Sequence, residues 1–441
     1  MENLKKLIDK KEARICVVGL GYVGLPLACV LAKNGFRVIG ADIRKEIVEK
    51  VNAGKSPISE NGIEEMLSEA VKTKRLCATT NAAEAVKESE AVFIVVQTPI
   101  DENKKPELSA FKSACRAVAK GLKKGMLVIS ESTVPPGTMK NIAVPILEES
   151  GLKAGKDFYL AYSPERAIPT KTLEEIQKNS RIIGGINKES AELAALIYAK
   201  ITSGEIVTDE LAVVEMVKLI ENTYRDVNIA LANEIALFCE KHGIDTLRAI
   251  ELANKHPRVH LHYPGAGVGG HCIPKDPYFL LDRAKKSGIE LKLISTAREI
   301  NENMPEHMLR KIEKALSSIN KSVKDSKIAV LGIAYKGDTC DVRGTPSKKV
   351  IEALMAAKAN VFSHDPFVTQ DFGGKFSNDL KEVISSADCI VIMTDHSEYK
   401  KLELKKISSL LNKPCVIVDG RRVLNPKNAL EEGFGYFGIG Y

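Results

Sequence analysis

The sequence has no apolar run approaching the roughly 18 residues that a membrane span requires; Ala91–Val96 is typical of its longest. It has no Cys-x-x-Cys pair among its nine cysteines, and a disulfide framework is not expected in a reducing compartment. Cys16, Cys389 and Cys415 adjoin β-branched runs and read as small buried hydrophobes. With 31 Gly and 18 Pro the chain is too poor in both for a collagen-like repeat, and at 44% hydrophobic it is too apolar for disorder. No basic stripe with interleaved aromatics is present, which argues against nucleic-acid binding. The 64 Lys and Arg are interleaved with most of the 57 acidic residues, and the net +7 suits an anionic small molecule. Residues Met1–Glu12 mix both charges and lack the apolar core of a signal peptide, so a cytoplasmic protein with no membrane contact is expected.

What is present is alternation. The 441 residues allow two to four folded units. Strand-like runs at 14–18, 36–42, 91–96, 126–130 and 158–162 are separated by helical stretches such as 23–33 and 108–120. That order implies right-handed βαβ crossovers and a parallel sheet covered on both faces. From Asp209 to His242 there is no Gly or Pro, and apolar residues recur at helical spacing, so one long helix is expected there, ending at Gly243. A second α/β segment starts near Ser326, with strands at 327–333, 360–363, 389–393 and 415–419. The expected architecture is α/β: two Rossmann-like doubly wound domains joined by a long central helix and a helical middle domain. The expected boundaries are 1–203, 204–315 and 316–441.

Gly19-Leu-Gly21-Tyr22-Val23-Gly24 follows the first strand and opens the next helix. The first Gly permits the tight turn, the second lets backbone approach a pyrophosphate, and the third lets helix and strand pack closely. Asp42, ending the second strand, is placed to accept hydrogen bonds from an adenosine ribose and favours NAD over NADP. Arg44 is a possible phosphate partner beside it. Thr98 and Thr133 follow later strands of the same sheet, where they would touch cofactor or substrate, or simply cap the next helix.

Residues 263–277 form the least ordinary stretch. Gly265, Gly267, Gly269 and Gly270 lead into Cys272, flanked by His271, Lys275 and Asp276, whose positive neighbours favour a thiolate. His256, His260, His262 and His271 raise the alternative of a metal site, but their spacing matches no common zinc pattern and no metal is expected. On the long helix Lys218, Asn222 and Arg225 share one face at i, i+4 and i+7 among apolar neighbours, which predicts a buried polar stripe.

These motifs together resemble the UDP-glucose/GDP-mannose dehydrogenase family. The match runs in order along the chain: Gly19–Gly24 with its Leu-Pro continuation, Ser132-Thr-Val-Pro-Pro-Gly137, Ser163-Pro-Glu-Arg166, Lys218-x-x-x-Asn222, Gly269-Gly-His-Cys272-x-Pro-Lys-Asp276, and Gly332-Ile-Ala-Tyr-Lys336. Within the family, Asn254-Lys-His-Pro-Arg258 and Ser163–Arg166 are most similar to the branch that takes UDP-N-acetyl-D-mannosamine, with UDP-N-acetylglucosamine and UDP-glucose as alternatives. Ala167 and Thr170 depart from the commonest Pro-Glu-Arg-Val-x-Pro-Gly form.

The resemblance implies a four-electron oxidation of the sugar C6 alcohol to a carboxylate with two NAD and one water. It implies Cys272 as nucleophile, Lys218 and Asn222 as alkoxide stabilisers, and Asp276 as a proton acceptor. Glu165, or Asp276 through Thr133, would be the base for hydrolysis. Gly19, Gly21, Tyr22, Val23, Gly24, Asp42, Arg44, Thr98, Thr133 and Arg343 fall on the cofactor side, with Arg343 at the pyrophosphate. Arg166, Ala167, Lys218, Asn222, Arg225, His256, Arg258, Gly269, Tyr335 and Lys336 fall on the UDP-sugar side. A homodimer or homotetramer is implied, with Arg258 contributed across the interface as in relatives. Two rival readings are a two-electron hydroxyacid-type dehydrogenase, which leaves the Gly-Gly-His-Cys loop idle, and a non-catalytic nucleotide-binding module, against which the intact Cys, Lys, Asn and Asp set argues.

Overall fold

The computed structural model describes residues 1–168 and 171–441, so Thr170 lies outside it. The chain divides into two units, Met1–Glu221 with Tyr278–Gly288, and Asn222–Pro277 with Ile289–Tyr441.

The first unit carries β1 (Arg14–Val18), β2 (Arg37–Ala41), β3 (Leu76–Thr79), β4 (Ala91–Ile94), β5 (Leu127–Ser130), β6 (Tyr159–Tyr162), β7 (Arg181–Gly185) and β8 (Ile206–Glu210). They form one sheet in the order β3-β2-β1-β4-β5-β6-β7-β8. Pairing is parallel throughout except between β6 and β7. The strands are near-continuous apolar runs because both faces are covered. Side chains alternate between the two cores: Ile15, Val17 and Phe93 point into one, and Cys16, Val18, Val92 and Ile94 into the other. Burial pushes the Cys16 thiol up to about 12, which fits its reading as a small hydrophobe.

The second unit repeats the pattern with β9 (Lys327–Leu331), β10 (Asn360–His364), β11 (Lys375–Phe376), β12 (Cys389–Ile392), β13 (Val416–Asp419) and β14 (Gly435–Gly438). Their order, β11-β10-β9-β12-β13-β14, is all parallel. Position for position this is the order of the first six strands of the other sheet, reversing direction beside the first strand, where α/β folds bind ligands. The turns repeat as well. Gly19 N–H donates to Ala41 O at 2.7 Å, and Gly332 N–H donates to His364 O at 2.8 Å. Leu20 N–H donates to Asp42 Oδ2 at 3.0 Å, and Ile333 N–H donates to Asp365 Oδ2 at 2.7 Å.

The long helix is Leu211–His242, two residues shorter at its start than the Gly- and Pro-free stretch because β8 runs to Glu210. At 1.5 Å per residue it extends roughly 48 Å. A second long helix, Lys292–Ser317, carries Pro305 inside it and packs under the second sheet. Among the described residues no helix is long and apolar enough to cross a membrane.

The glycines of the first turn separate two roles. A Cβ on Gly24 would stand 1.8 Å from Gly19 O, whereas one on Gly21 meets nothing within 4 Å. Gly24→Ala is therefore expected to lower unfolding free energy by about 3 kcal/mol or more, as overpacking does. Gly21→Ala should leave it unchanged; equal melting midpoints for the two variants would contradict this.

Candidate active site

Loops at the carboxyl ends of β1, β2, β4, β5 and β6 gather most of the first unit's predicted residues. Gly19 sits at φ +99° against Val95 O, so only glycine fits the turn. The helix Gly24–Lys33 that follows has no side-chain cap, and in its first turn the Leu25 and Leu27 N–H groups donate to Gly21 O and Val23 O while Pro26 carries none. With open space over Gly21, this turn fits a dinucleotide pyrophosphate. Tyr22 is exposed and Val23 is the residue that caps the helix. Asp42 is buried, and its Oδ1 accepts the Arg44 N–H at 2.9 Å and pairs with Arg44 Nε at 3.3 Å. Arg44 is thus drawn to the aspartate. Thr98 Oγ donates to Thr133 O at 2.6 Å, while Ser132 Oγ accepts from Val96 N–H and donates to Val96 O. These hydroxyls extend the β4–β5 pairing past the strand ends.

Behind these loops lies a buried charge cluster that the sequence reading touched only at Glu165. Arg181, 2% exposed, donates from Nη1 to Glu165 Oε2 at 2.9 Å and lies over the Tyr198 ring. Glu165 Oε1 accepts the backbone N–H groups of Arg166 and Ala167, both at 2.6 Å. Burial works to raise the Glu165 carboxyl, but Arg181 and the two N–H donors outweigh it and hold it below the ordinary range. Glu131, on the residue after β5, accepts the Tyr198 hydroxyl at 2.5 Å. Burial pushes it up to about 7 against the pull of Arg181. An acid directly ahead of Ser132-Thr133 at a strand end was a signal for it. Arg166 pairs with Glu221 of the long helix through Nη2 at 2.6 Å and Nε at 3.3 Å, so its charge is already engaged. Lys218, three residues before Glu221, is buried.

In the second unit Asn222 and Asp276 are fully buried and share a hydrogen bond from Asn222 Nδ2 to Asp276 Oδ2. Arg225 Nη2 donates to Asn222 Oδ1, and Lys275 Nζ lies 3.2 Å from Asp276 Oδ1. The Asp276 backbone N–H donates to Cys272 O at 2.8 Å, so the half-buried cysteine and this polar chain form one piece. Tyr335 packs directly on the loop: a Cβ on Gly269 would be 2.4 Å from Tyr335 Cβ, and one on Gly270 would be 3.0 Å from the ring. Burial, then Asp341 and Cys272, raise the Tyr335 phenol. Gly270 N–H donates to Arg343 O at 2.9 Å, and the Arg343 guanidinium forms a two-point pair with Asp341. Lys336 is exposed beside Tyr335. Arg421, which sequence reasoning missed, donates to Tyr335 O at 3.2 Å and leaves no room for a side chain at Gly265. His256 and Arg258 stand exposed, the Arg258 N–H donating to His256 Nδ1. Among the described residues no three His, Cys, Asp or Glu side chains are arranged to hold a metal ion.

The irregular chain leading to this loop is held by asparagines. Asn254 Oδ1 accepts the Leu261 N–H and its Nδ2 donates to Leu261 O, at 2.8 and 3.0 Å. Asn228 does the same for His262 N–H and His260 O, at 2.7 and 2.8 Å. Asn233 accepts the Gly265 N–H at 2.9 Å and passes on through Asn301 to Asp226 and Arg298. Each carboxamide carries the donor and acceptor of a peptide group, so the three substitute for a neighbouring strand.

Comparison with known proteins agrees with this geometry. Residues 13–202 match the NAD binding domain of the UDP-glucose/GDP-mannose dehydrogenase family, 212–303 its central domain and 329–426 its UDP binding domain. The chain is 43% identical over 429 residues to a UDP-N-acetyl-D-mannosamine dehydrogenase of Pyrococcus horikoshii, covering 97% of this chain and 99% of that one. The solved structure of UDP-D-ManNAc dehydrogenase from that organism superimposes with a TM-score of 0.90. An NDP-N-acetyl-D-galactosaminuronic acid dehydrogenase from Methanosarcina mazei is 37% identical, with a TM-score of 0.86 over 100% of this chain and 98% of that one.

The Glu131 carboxyl gives a pH test of the buried cluster. Its folded value lies above the ordinary 4.5, so its ionisation opposes folding. The effect is absent below about pH 4.5, where the group is protonated in both states, and grows as pH rises toward about 7. Glu131→Gln should therefore gain stability relative to the parent chain across that window, on the order of 3 kcal/mol, and keep that difference above it. Parallel stability curves from pH 4 to 8 would refute this.

Proposed function

The chain belongs to the UDP-glucose/GDP-mannose dehydrogenase family, and from that membership we propose that it oxidises the C6 alcohol of UDP-N-acetyl-D-mannosamine to UDP-N-acetyl-D-mannosaminuronate. What supports the choice of sugar is the full-length similarity to enzymes named for it and the Asn254–Arg258 segment. What supports the chemistry is one observation: Cys272 shares a hydrogen-bonded loop with Asp276, whose carboxylate is held by Asn222. The division of labour is a cofactor segment at 1–203, a catalytic segment at 204–315 and a nucleotide segment at 316–441.

NAD, when bound, accepts a hydride in each of two successive oxidations. The Gly19–Gly24 turn would hold its pyrophosphate and Asp42 its ribose, with Thr98 and Thr133 beside the reacting end. In the first oxidation C6 loses a hydride and its hydroxyl a proton. Lys218 and Asn222, one helical turn apart, stabilise the developing alkoxide, and Asp276 takes the proton. The aldehyde is a poor hydride donor until a nucleophile adds. Cys272 sulfur bonds to C6 and the carbonyl oxygen takes a proton, giving a thiohemiacetal. Loss of a second hydride and the hydroxyl proton leaves a thioester. Water then adds, the C–S bond breaks, and carboxylate and thiol are released. Glu165, kept ionised by Arg181, is the favoured base or water-orienting group for that step, with Asp276 through Thr133 the other.

On the nucleotide side, Tyr335 and Lys336 hold UDP, with Arg225, Arg166, the Ala167 backbone, His256, Arg258 and Gly269 toward sugar and phosphates. A homodimer is part of this reading. Val213, Ile220, Tyr224, Leu231 and Phe238 are exposed at near-heptad spacing along the long helix, an apolar stripe suited to a second copy. Arg258 is exposed and available to a neighbour's site.

Two NADH per UDP-N-acetyl-D-mannosamine, with acid as product, is the expected stoichiometry; one NADH per substrate, or preference for UDP-glucose, would overturn the reading. Cys272→Ala should abolish uronate formation, and acid released at the parent rate would remove Cys272 from its role. Lys218→Ala should lower kcat at least a hundredfold, in line with losing an oxyanion donor, and an unchanged kcat would exclude it.

A further inference from the structure

The second sheet carries a buried histidine that the reaction above does not use. His396, on the loop after β12, is fully buried. Its Nδ1 accepts the backbone N–H of Asp338 at 2.9 Å, and its Nε2 lies 3.0 Å from Asp365 Oδ2. A backbone N–H can only donate, so Nδ1 carries no proton and Nε2–H must be the donor to Asp365. The tautomer is fixed by geometry. Nδ1 is occupied by a backbone N–H, so this carboxylate–imidazole pair holds a backbone instead of activating a nucleophile.

The same Asp365 oxygen accepts the N–H groups of Ile333 and Ala334, at 2.7 and 2.9 Å. One carboxylate therefore grips the start of the Gly332–Asp338 loop directly and its end through His396. The end needs gripping: Asp338 is at φ +56°, a left-handed conformation costly for a residue with a side chain. The Ser397 N–H and hydroxyl donate to the Asp338 carboxylate at 2.8 and 2.5 Å, and a Cβ at Gly337 would stand 2.6 Å from Asp395 O. Phe367 covers the imidazole, its ring centroid 5.3 Å away. In the middle of the gripped loop lie Tyr335 and Lys336.

We propose that His396 is a positioning residue of the nucleotide site: its two ring nitrogens fix the Gly332–Asp338 loop in the form that presents Tyr335 and Lys336 to the diphosphate of the sugar nucleotide. This rests on the reading above in which those two residues hold UDP. A lysine acts on phosphate as a point charge at the end of a flexible stem, so its contribution depends on how firmly its backbone is held.

The test uses the full chain, with UDP and NAD binding measured by calorimetry alongside steady-state kinetics. His396→Leu should weaken UDP binding and raise KM for the UDP-sugar roughly tenfold, with kcat within about twofold and NAD affinity unchanged. The isosteres separate the two ring nitrogens and carry the test if the leucine variant fails to fold. In His396→Asn, Oδ1 superposes on Nδ1 and still accepts from Asp338 but no longer reaches Asp365, so UDP affinity should fall less than with leucine. In His396→Gln, Nε2 superposes on Nε2 and reaches only Asp365, so affinity should fall as with leucine. Unchanged UDP affinity in the leucine variant, parent-like affinity in the glutamine variant, or equal losses for UDP and NAD would each overturn the proposal. A parent chain that binds no UDP would instead overturn the reading beneath it.

Discussion

A carboxylate that ends one strand and grips the turn after its neighbour is the constraint on which both sheets rest. In a parallel sheet every loop that can bind a ligand leaves from the same edge, and its first N–H groups have lost their strand partners. Asp42 and Asp365 restore one at the equivalent place, on Leu20 and Ile333. The two then diverge. Asp42 has the Arg44 N–H and guanidinium as its other partners. Asp365 receives Ile333, Ala334, Phe367 and Val368 N–H groups as well as His396. A carboxylate offers about four lone-pair sites, so Asp365 has nothing left for ribose hydroxyls. One topology thus holds a dinucleotide in one unit and a different nucleotide in the other.

The cysteine loop obeys the same rule by other means. This glycine-rich segment lies outside both sheets, yet its backbone groups still need partners. Asn228, Asn233 and Asn254 provide them, and Tyr335 packs on Gly269 and Gly270, where a larger residue would collide. The cysteine is held by its carbonyl through the Asp276 N–H, which fixes the backbone behind the sulfur. A rigid backbone behind the sulfur is what the covalent role proposed for Cys272 asks for.

The buried charges are arranged so that one arginine serves two carboxylates. Arg181 holds Glu165 ionised while Glu131, further into the apolar core, is pushed toward neutrality. Two carboxylates of one cluster thereby differ in proton affinity because of where they lie, a pattern common where acid and base roles must be separated.

Nine of the described strands, the long helix, the dinucleotide turn and the cysteine loop are legible in the order of residues alone. Each rests on a local signal: a short apolar run, period 3.6, or glycine at fixed offsets. The strands β3, β7, β8, β11 and β14 are not legible in this way and are set by their neighbours in the sheets. Nor is Lys292–Ser317, since Pro305 interrupts its pattern while packing against the second sheet keeps it one helix. The sequence also marked Lys218, Asn222 and Arg225 as a buried stripe, since apolar neighbours at helical spacing imply burial; the first two are buried and Arg225 is half-buried. It could not say which side chains meet. Asn233 and Asn301 are 68 residues apart, Glu131 and Tyr198 67, His396 and Asp338 58. Hydrogen bonds are chosen by distance and direction at the place where the chain returns, and neither is written in residue type. Only the tertiary structure decided that Arg166 and Arg343 already have acidic partners, that Glu165 answers to Arg181, and that a histidine outside every motif grips the Gly332–Asp338 loop.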